Sequence, residues 1–382
     1  MSRRQTAGFR ATSSWWADVD SDQMRVIASA LAVGCLHFAV PHAYQQPPQQ
    51  AFKSGVHLLE VDARVFDREG RFVTDLTVED FEILEKGAAQ KIQTMFLVGG
   101  PAGSSGTSSE LSAPVLPRAA QTWIFIFDHR HMRPNGFHRA KGGVTTFMAE
   151  RFRAGDLAGV IMNDKMVNNR ISSVRSEFLD ALQQVTAPAD AIWRAQDQED
   201  AARMGGEGEA GSNIRAALGV HSGAEIKRAA RATTETLDAL ARGLATMPGP
   251  KTIVLFSDGF GLAELEGTIR TVVGRMNRAG ARIYAIDTRG LAGGPADTIN
   301  SLAADTGGRV IFNTNNIGDA LDEVAADTNV YYVLGYQPAN LRYDGKYRDI
   351  EVRVKRSGVT VRARKGYLAL PPSKMLIPQA VR

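Results

Sequence analysis

The sequence predicts an α/β fold. A mostly parallel sheet carries helices on both faces and is joined to a small β domain built from flanking strands at both chain ends. Three observations predict this. Trp123–Phe127 is an unbroken apolar run, as for a strand buried on both faces. From Thr122 to about Asp327, strand and helix patterns alternate, as in a parallel sheet with crossover helices. Outside that stretch, Val56–Asp67 and Tyr331–Arg364 alternate with a period of two.

The chain has 382 residues, room for two domains. Hydrophobic residues make up 44% and charged residues 23%, which fits a soluble globular protein. The net charge is +4 with basic residues dispersed, so no nucleic-acid partner is expected. Cys35 is the only cysteine, which excludes an internal disulfide and a thiolate metal cluster.

Residues 1–43 read as an N-terminal extension plus a signal or anchor. Val26–Val40 is an apolar run of about 15 residues, short of the ~20 that span a bilayer. Met24-Arg25 precedes it and Ala43 follows, the layout of a secretory signal, with Met24 as an alternative start. A membrane anchor is the other reading. A Gln/Pro stretch follows.

An N-terminal β unit occupies residues 51–98. Its strands are Val56–Asp67, Phe81–Leu84 and Lys91–Val98, with an extended piece at Val73–Leu76. Thr77-x-x-Asp80 has the spacing of a capping box. Alone this unit is too small to bury a good core. Residues 99–120 form a linker rich in Gly, Ser and Pro up to Pro117, with no expected structure.

The α/β domain spans 121–328. Its strands are Trp123–Phe127, Leu157–Met162, Thr252–Phe256, Arg282–Ile286 and Arg309–Phe312, with an edge hairpin at Lys165–Ile171. Helices are expected over Gly136–Arg153, Arg175–Val185, Ser222–Ala245, Leu262–Arg278, Asp297–Asp305 and Ile317–Asp327. Ala187–Gly219 reads as a mobile excursion on the ligand side of the sheet. A C-terminal β unit, 329–370, holds Tyr331–Tyr336, Tyr347–Lys355 and Val359–Arg364, which are expected to complete the sheet begun at Val56. Residues 371–382 are a tail.

The order TWIFIFD, KTIVLFSDG, RIYAIDT and SLAADTGGRVIFNTN resembles a von Willebrand factor type A (VWA) domain. The flanks, VDARVFDREGRFVTDLTVEDFEILEKGAAQKI and YYVLGYQPANLRYDGKYRDIEVRVKRSGVTVRARKGY, resemble a subfamily of secreted VWA proteins abundant in acidobacteria. The resemblance covers roughly Val56 to Tyr367. It implies a Rossmann-like fold with a divalent cation, usually Mg²⁺, at the top of the sheet, completed by a carboxylate from a protein partner.

On that resemblance the metal residues are Asp128, Ser212 and Asp258, with His131 as a possible helper. The family pattern Asp-x-Ser-x-Ser is broken here by Arg130 and Met132, which do not suit a hard cation. Ser212 stands in for the usual threonine, and Thr233 and Thr234 fit less well because they lie mid-helix. Asp128 and Asp258 are expected to face each other. Either a cation relieves their repulsion, or Arg130 acts as counter-ion, or one carboxyl holds a raised pKa. Partner contacts are expected from Asp128, Arg130, Asp258 and Phe260.

Other chemistry is poorly served. His129-x-His131 lacks a third ligand of its own for a catalytic zinc. Asp258-Gly259-Phe260-Gly261 is a near miss to a dinucleotide fingerprint, with acids where a pyrophosphate would sit, so no nucleotide cofactor is expected. No nucleophile motif or phosphate loop is present. Tyr331, Tyr332, Tyr336, Tyr343 and Tyr347 either pave a binding face or fill a core. The expected function is therefore a secreted or envelope-associated binding or adhesion module, not an enzyme. The alternatives are a metal-assisted hydrolase using Asp128, His131 and Asp258, or a structural component of envelope assembly.

Overall fold

The computed structural model describes residues 58–99, 113–188, 223–260, 265–292 and 297–371. Ser212, most of the Ala187–Gly219 excursion and the apolar segment Val26–Val40 fall outside them. No helix among the described residues is long and apolar enough to cross a membrane.

The first strands are β1 (Leu59–Phe66), β2 (Phe81–Glu85), β3 (Ala88–Gln90), β4 (Ile92–Val98) and β5 (Val115–Leu116). The central ones are β6 (Thr122–Phe127), β7 (Leu157–Met162), β8 (Lys165–Met166), β9 (Lys251–Phe256), β10 (Ala281–Ile286) and β11 (Val310–Ile311). The last are β12 (Tyr331–Tyr336), β13 (Tyr347–Val354), β14 (Thr360–Ala363) and β15 (Gly366–Leu368). Six α-helices lie among them: α1 (Pro134–Arg151), α2 (Arg175–Gln183), α3 (Gly223–Leu244), α4 (Glu266–Arg278), α5 (Asp297–Asp305) and α6 (Ile317–Asn329).

The central sheet has the order β11-β10-β9-β6-β7-β8 and is parallel except for β8. Its strands are buried on both faces because alternate residues serve two cores. Trp123, Phe125, Phe127, Val254 and Phe256 meet α1, α2 and α6 on one side. Ile124, Ile126, Ile253 and Leu255 meet α3, α4 and α5 on the other. Each such fully buried side chain contributes about 1.5–3 kcal/mol. Pro134 opens α1 at a position where the missing N–H costs nothing. Asn316 caps α6, its Oδ1 accepting from Gly318 N at 3.0 Å and Asp319 N at 3.3 Å.

The flanking strands form two sheets rather than one. The first has the order β14-β1-β12-β4-β5, the second β15-β13-β2-β3. Strands from both chain ends do pair, β12 lying between β1 and β4. Yet β13 joins β2, not β1. The reason is that each sheet has one apolar face. Val61, Leu97, Tyr332 and Leu334 of the first pack against Phe81, Ile83, Ile350 and Val352 of the second. The Asp80 carboxylate accepts the Thr77 N–H at 2.8 Å, as the capping-box spacing predicts.

Smaller differences have local causes. Val115–Leu116, expected in a structureless linker, pairs parallel to β4. The Lys165–Ile171 hairpin shrinks to β8, because Asn168 takes a positive φ of 57° and turns the chain away. The last strand of the sheet keeps only Val310–Ile311, and Phe312 is 42% exposed beyond it. Tyr331, Tyr332 and Tyr336 are core residues at 4%, 0% and 0% exposure, whereas Tyr343 is exposed.

Candidate functional site

Where β6 ends, the chain leaves the sheet at Asp128 and enters a 3-10 turn, His129–His131. The Asp128 carbonyl accepts the His131 N–H at 2.8 Å. This turn folds the His131 ring back over Asp128. Its Nδ1 lies 3.1 Å from Oδ1 and 3.0 Å from Oδ2. A carboxylate only accepts, so Nδ1 carries the proton.

Two hydroxyls complete the shell. Thr233 in α3 donates to Asp128 Oδ1 at 3.1 Å, and Ser257 donates to Oδ2 at 3.0 Å. Asp128 is 5% exposed. Burial pushes its carboxyl up, but His131 and the bonds from Ser257 and Thr233 more than offset this and hold it below the usual range. Burial also lowers the His129 imidazole, with Arg130 adding to the effect and Asp128 opposing it.

Asp258 is not the partner of Asp128. The register ends with Phe127 opposite Phe256, so Ser257 follows beside Asp128 and Asp258 comes one residue later. Asp258 accepts from Thr288 Oγ1 and, at 3.2 Å, from Arg133 N. Burial raises its carboxyl, and these bonds only partly oppose that. Gly259 turns the loop at φ +97°, and Gly136 lets α1 approach Thr288, whose Oγ1 would lie 2.6 Å from an added Cβ.

Arg130 is not a counter-ion for Asp128. It pairs with Asp164 at 2.6 Å, in the turn after β7, and Thr236 donates to the same carboxylate at 2.8 Å. Met132 points inward at 0% exposure, which explains a thioether at a position where the resembled Asp-x-Ser-x-Ser pattern has serine. Phe260, expected at a partner surface, is 5% exposed, its ring 4.9 Å from that of His131. Asp287, a fourth acid at this end of the sheet, pairs with Arg289 at 2.6 Å.

A Mg²⁺ ion does not fit these groups as they stand. It demands oxygen ligands in near-octahedral array at about 2.0–2.1 Å. Both Asp128 oxygens already accept protein donors, and an imidazole covers them. Among the described residues no group of three or more His, Cys, Asp or Glu is placed to hold a metal.

Sequence reading therefore finds Asp128, His131 and Asp258, sets Thr233 aside for lying mid-helix, and misses Ser257, Thr288 and Asp164. Ser257 was accessible: β6 and β9 have equal lengths, so the first polar residue after each apolar run lies at one level. Thr233 was not, because its place depends on how α3 crosses the sheet.

No family model matches the chain, and no curated protein matches it. Among solved structures, the chain is similar to the conserved hypothetical protein BatB from Bacteroides thetaiotaomicron. Identity is 13%, over 55% of this chain and 98% of that one, with a TM-score of 0.35. An aerotolerance-related membrane protein from Bacteroides fragilis matches at 10% identity, over 55% of this chain and 99% of its own, with a TM-score of 0.34. The N-terminal domain of TFIIH p34 matches at 15% identity, over 54% and 95%, with a TM-score of 0.29. Likenesses at these values bear on neither binding nor chemistry.

Proposed function

We propose that this chain is a non-enzymatic VWA-type binding module of the cell envelope or its exterior. It meets a protein partner with the face formed by the carboxyl ends of its parallel strands. That end of an open α/β sheet is where ligands dock. One observation carries the reading: the acids there each hold a partner within the chain, Asp128 with His131, Asp164 with Arg130, Asp258 with the Thr288 hydroxyl and Asp287 with Arg289. Such a face keeps its shape without a cation.

Among the described residues, the hollow at this face is small. The notch beside Asp128, lined by His129, Arg130, Asp164 and Thr233, holds about 10 Å³. Small-molecule sites run to ~300–1,000 Å³. What the face offers outward is the half-exposed Arg130–Asp164 pair, with Leu291 and Phe312 exposed after β10 and β11. This mixture of apolar and charged groups suits a protein surface. The signal-like segment Val26–Val40 supports the location.

Two experiments test the reading. Thermal unfolding of the full chain with millimolar Mg²⁺, Mn²⁺ or Ca²⁺ should give one midpoint. A cation at ~100 times its dissociation constant would add about 2.7 kcal/mol, and such a shift, absent in Asp128→Ala, overturns the cation-free site. Capture of envelope proteins by the immobilised chain should survive a chelator and fall at least tenfold in Arg130→Ala/Leu291→Ser. Undiminished capture by that variant refutes the assigned face.

A hydrolase reading rests on His131 alone. Its Nε2 is buried and unpartnered, with Asp128 behind Nδ1, as a general base would be held. It predicts turnover of an ester or phosphate that His131→Ala abolishes.

A further inference from the structure

At the opposite end of the parallel sheet, β1 and β14 of the flanking sheets approach the start of β10 and the turns after α4 and α5. Between them lies a cavity of about 20 Å³, lined by Asp62, Arg64, Asn277, Arg282, Thr306 and Arg364 among others. It brings three guanidinium groups together with one carboxylate.

The hydrogen bonds do not use up these cations. Arg282 Nη2 pairs with Asp62. Arg64 Nε donates to the Asp327 carbonyl at 2.6 Å and lies 3.7 Å from the Asp327 carboxylate, which it shares with Arg362 and with Tyr284 Oη at 2.6 Å. Arg364 spends its Nη atoms on the carbonyls of Asn277 and Glu60. Left over are Arg64 Nη1 and Nη2, Arg282 Nη1 and Arg364 Nε, all buried and without a partner. Arg64 is 0% and Arg282 4% exposed. The Tyr331 ring lies 5.3 Å from the Arg64 guanidinium and 4.8 Å from that of Arg282, and its side chain hydrogen-bonds Arg282, which still leaves Arg282 Nη1 unserved.

Buried N–H groups of a cation are costly when unpaired, and excess like charge adds to the cost. Burial pushes Asp62 up, yet Arg282, Arg64 and Arg364 more than offset it and hold it ionised. Burial lowers Arg364 from its ordinary value, which Asp62 and Glu60 only partly oppose. The cavity exceeds the roughly 10–15 Å³ a single water requires. A water could serve the unpartnered Asn277 Oδ1 but cannot balance charge.

We infer that this cavity binds one small monovalent anion of halide size, held by Arg64, Arg282 and Arg364 where the β sandwich meets the amino end of the parallel sheet. The anion fixes how the two layers sit on each other. A sulfate or a carboxylate ligand is too large for the space.

Crystals of the full chain soaked in sodium bromide test this directly. An anomalous bromine peak inside the cavity is expected. Its absence, with water density in its place, overturns the assignment. In solution, exchanging gluconate for chloride at constant ionic strength should raise the unfolding midpoint by ~2 °C or more. The rise should shrink in Arg364→Met, which removes one of the three guanidinium groups at a half-buried position. An equal rise in that variant marks a general salt effect and also counts against the site.

Discussion

The two ends of the parallel sheet treat charge in opposite ways. At the carboxyl end, Asp128 and Asp258 are satisfied one by one, by hydroxyls, an imidazole and a backbone N–H from adjoining loops and α3. At the amino end, Arg64 of β1, Arg282 of β10 and Arg364 just after β14 converge on one cavity, and several of their N–H groups meet no acceptor. Loops can be bent to bring a donor to a carboxylate. The contact between two packed layers has no such freedom, because its side chains are set by strand register. The first arrangement closes on itself, and the second leaves donors over.

The contrast can be broken most forcefully at Asp327. This acid is 7% exposed and holds Arg362, Tyr284 and fully buried Arg64. Asp327→Ala should cost about 3–5 kcal/mol in chemical denaturation, because it strands buried cations. A loss under ~1 kcal/mol would mean that the arginines are compensated by other means.

At the other end, His131→Ala should cost about 1–3 kcal/mol at neutral pH, leaving Asp128 with two hydroxyl donors. The pH dependence sharpens the comparison between the two acids. The folded Asp128 carboxyl is depressed below the usual 3.8, so its contribution is present above that value and lost as pH falls through the folded value. Asp258 is raised, so its contribution is present below 3.8 and lost as pH rises through the folded value. Denaturation midpoints near pH 3 and pH 7 should therefore show the His131→Ala penalty shrinking in acid. A penalty independent of pH would remove Asp128 as its cause.

Asp258→Asn should cost under ~1 kcal/mol, since ionising this acid already opposes folding and the amide keeps one acceptor for Thr288. Its loss should be well below that of Asp128→Asn, measured side by side. Arg130→Ala should change stability least, by about 0.5 kcal/mol or less, because its pair with Asp164 is more than a third exposed at the arginine. A larger effect would make that pair structural rather than a surface contact.

Much of the fold was legible because burial on both faces writes unbroken apolar runs. Trp123–Phe127 and Thr252–Phe256 differ from the observed strands by a single residue at their starts. The two-sheet arrangement of the flanking strands was not legible. Period-two alternation in Tyr347–Lys355 says that one face is buried but not which sheet covers it. At the site, Asp128 was readable as the first charge after a buried run. The role of Arg130 was not, because its partner Asp164 lies 34 residues on, in a turn whose positive φ at Asn163 and Asp164 aims that carboxylate toward it.

The sequence by itself determined the central parallel sheet, the carboxyl ends of β6 and β9 and the break in the cation motif, since these follow from local hydrophobic period and side-chain chemistry. Only the tertiary structure decided which donor serves which acid. A hydrogen bond is made or lost within a few tenths of an ångström, and Thr233, Ser257 and Thr288 reach their carboxylates only after separate elements have packed. The surplus of buried donors at the amino end is likewise invisible in a chain whose net charge is +4. It exists because β1, β10 and the end of β14 bring Arg64, Arg282 and Arg364 from distant parts of the sequence to one cavity wall.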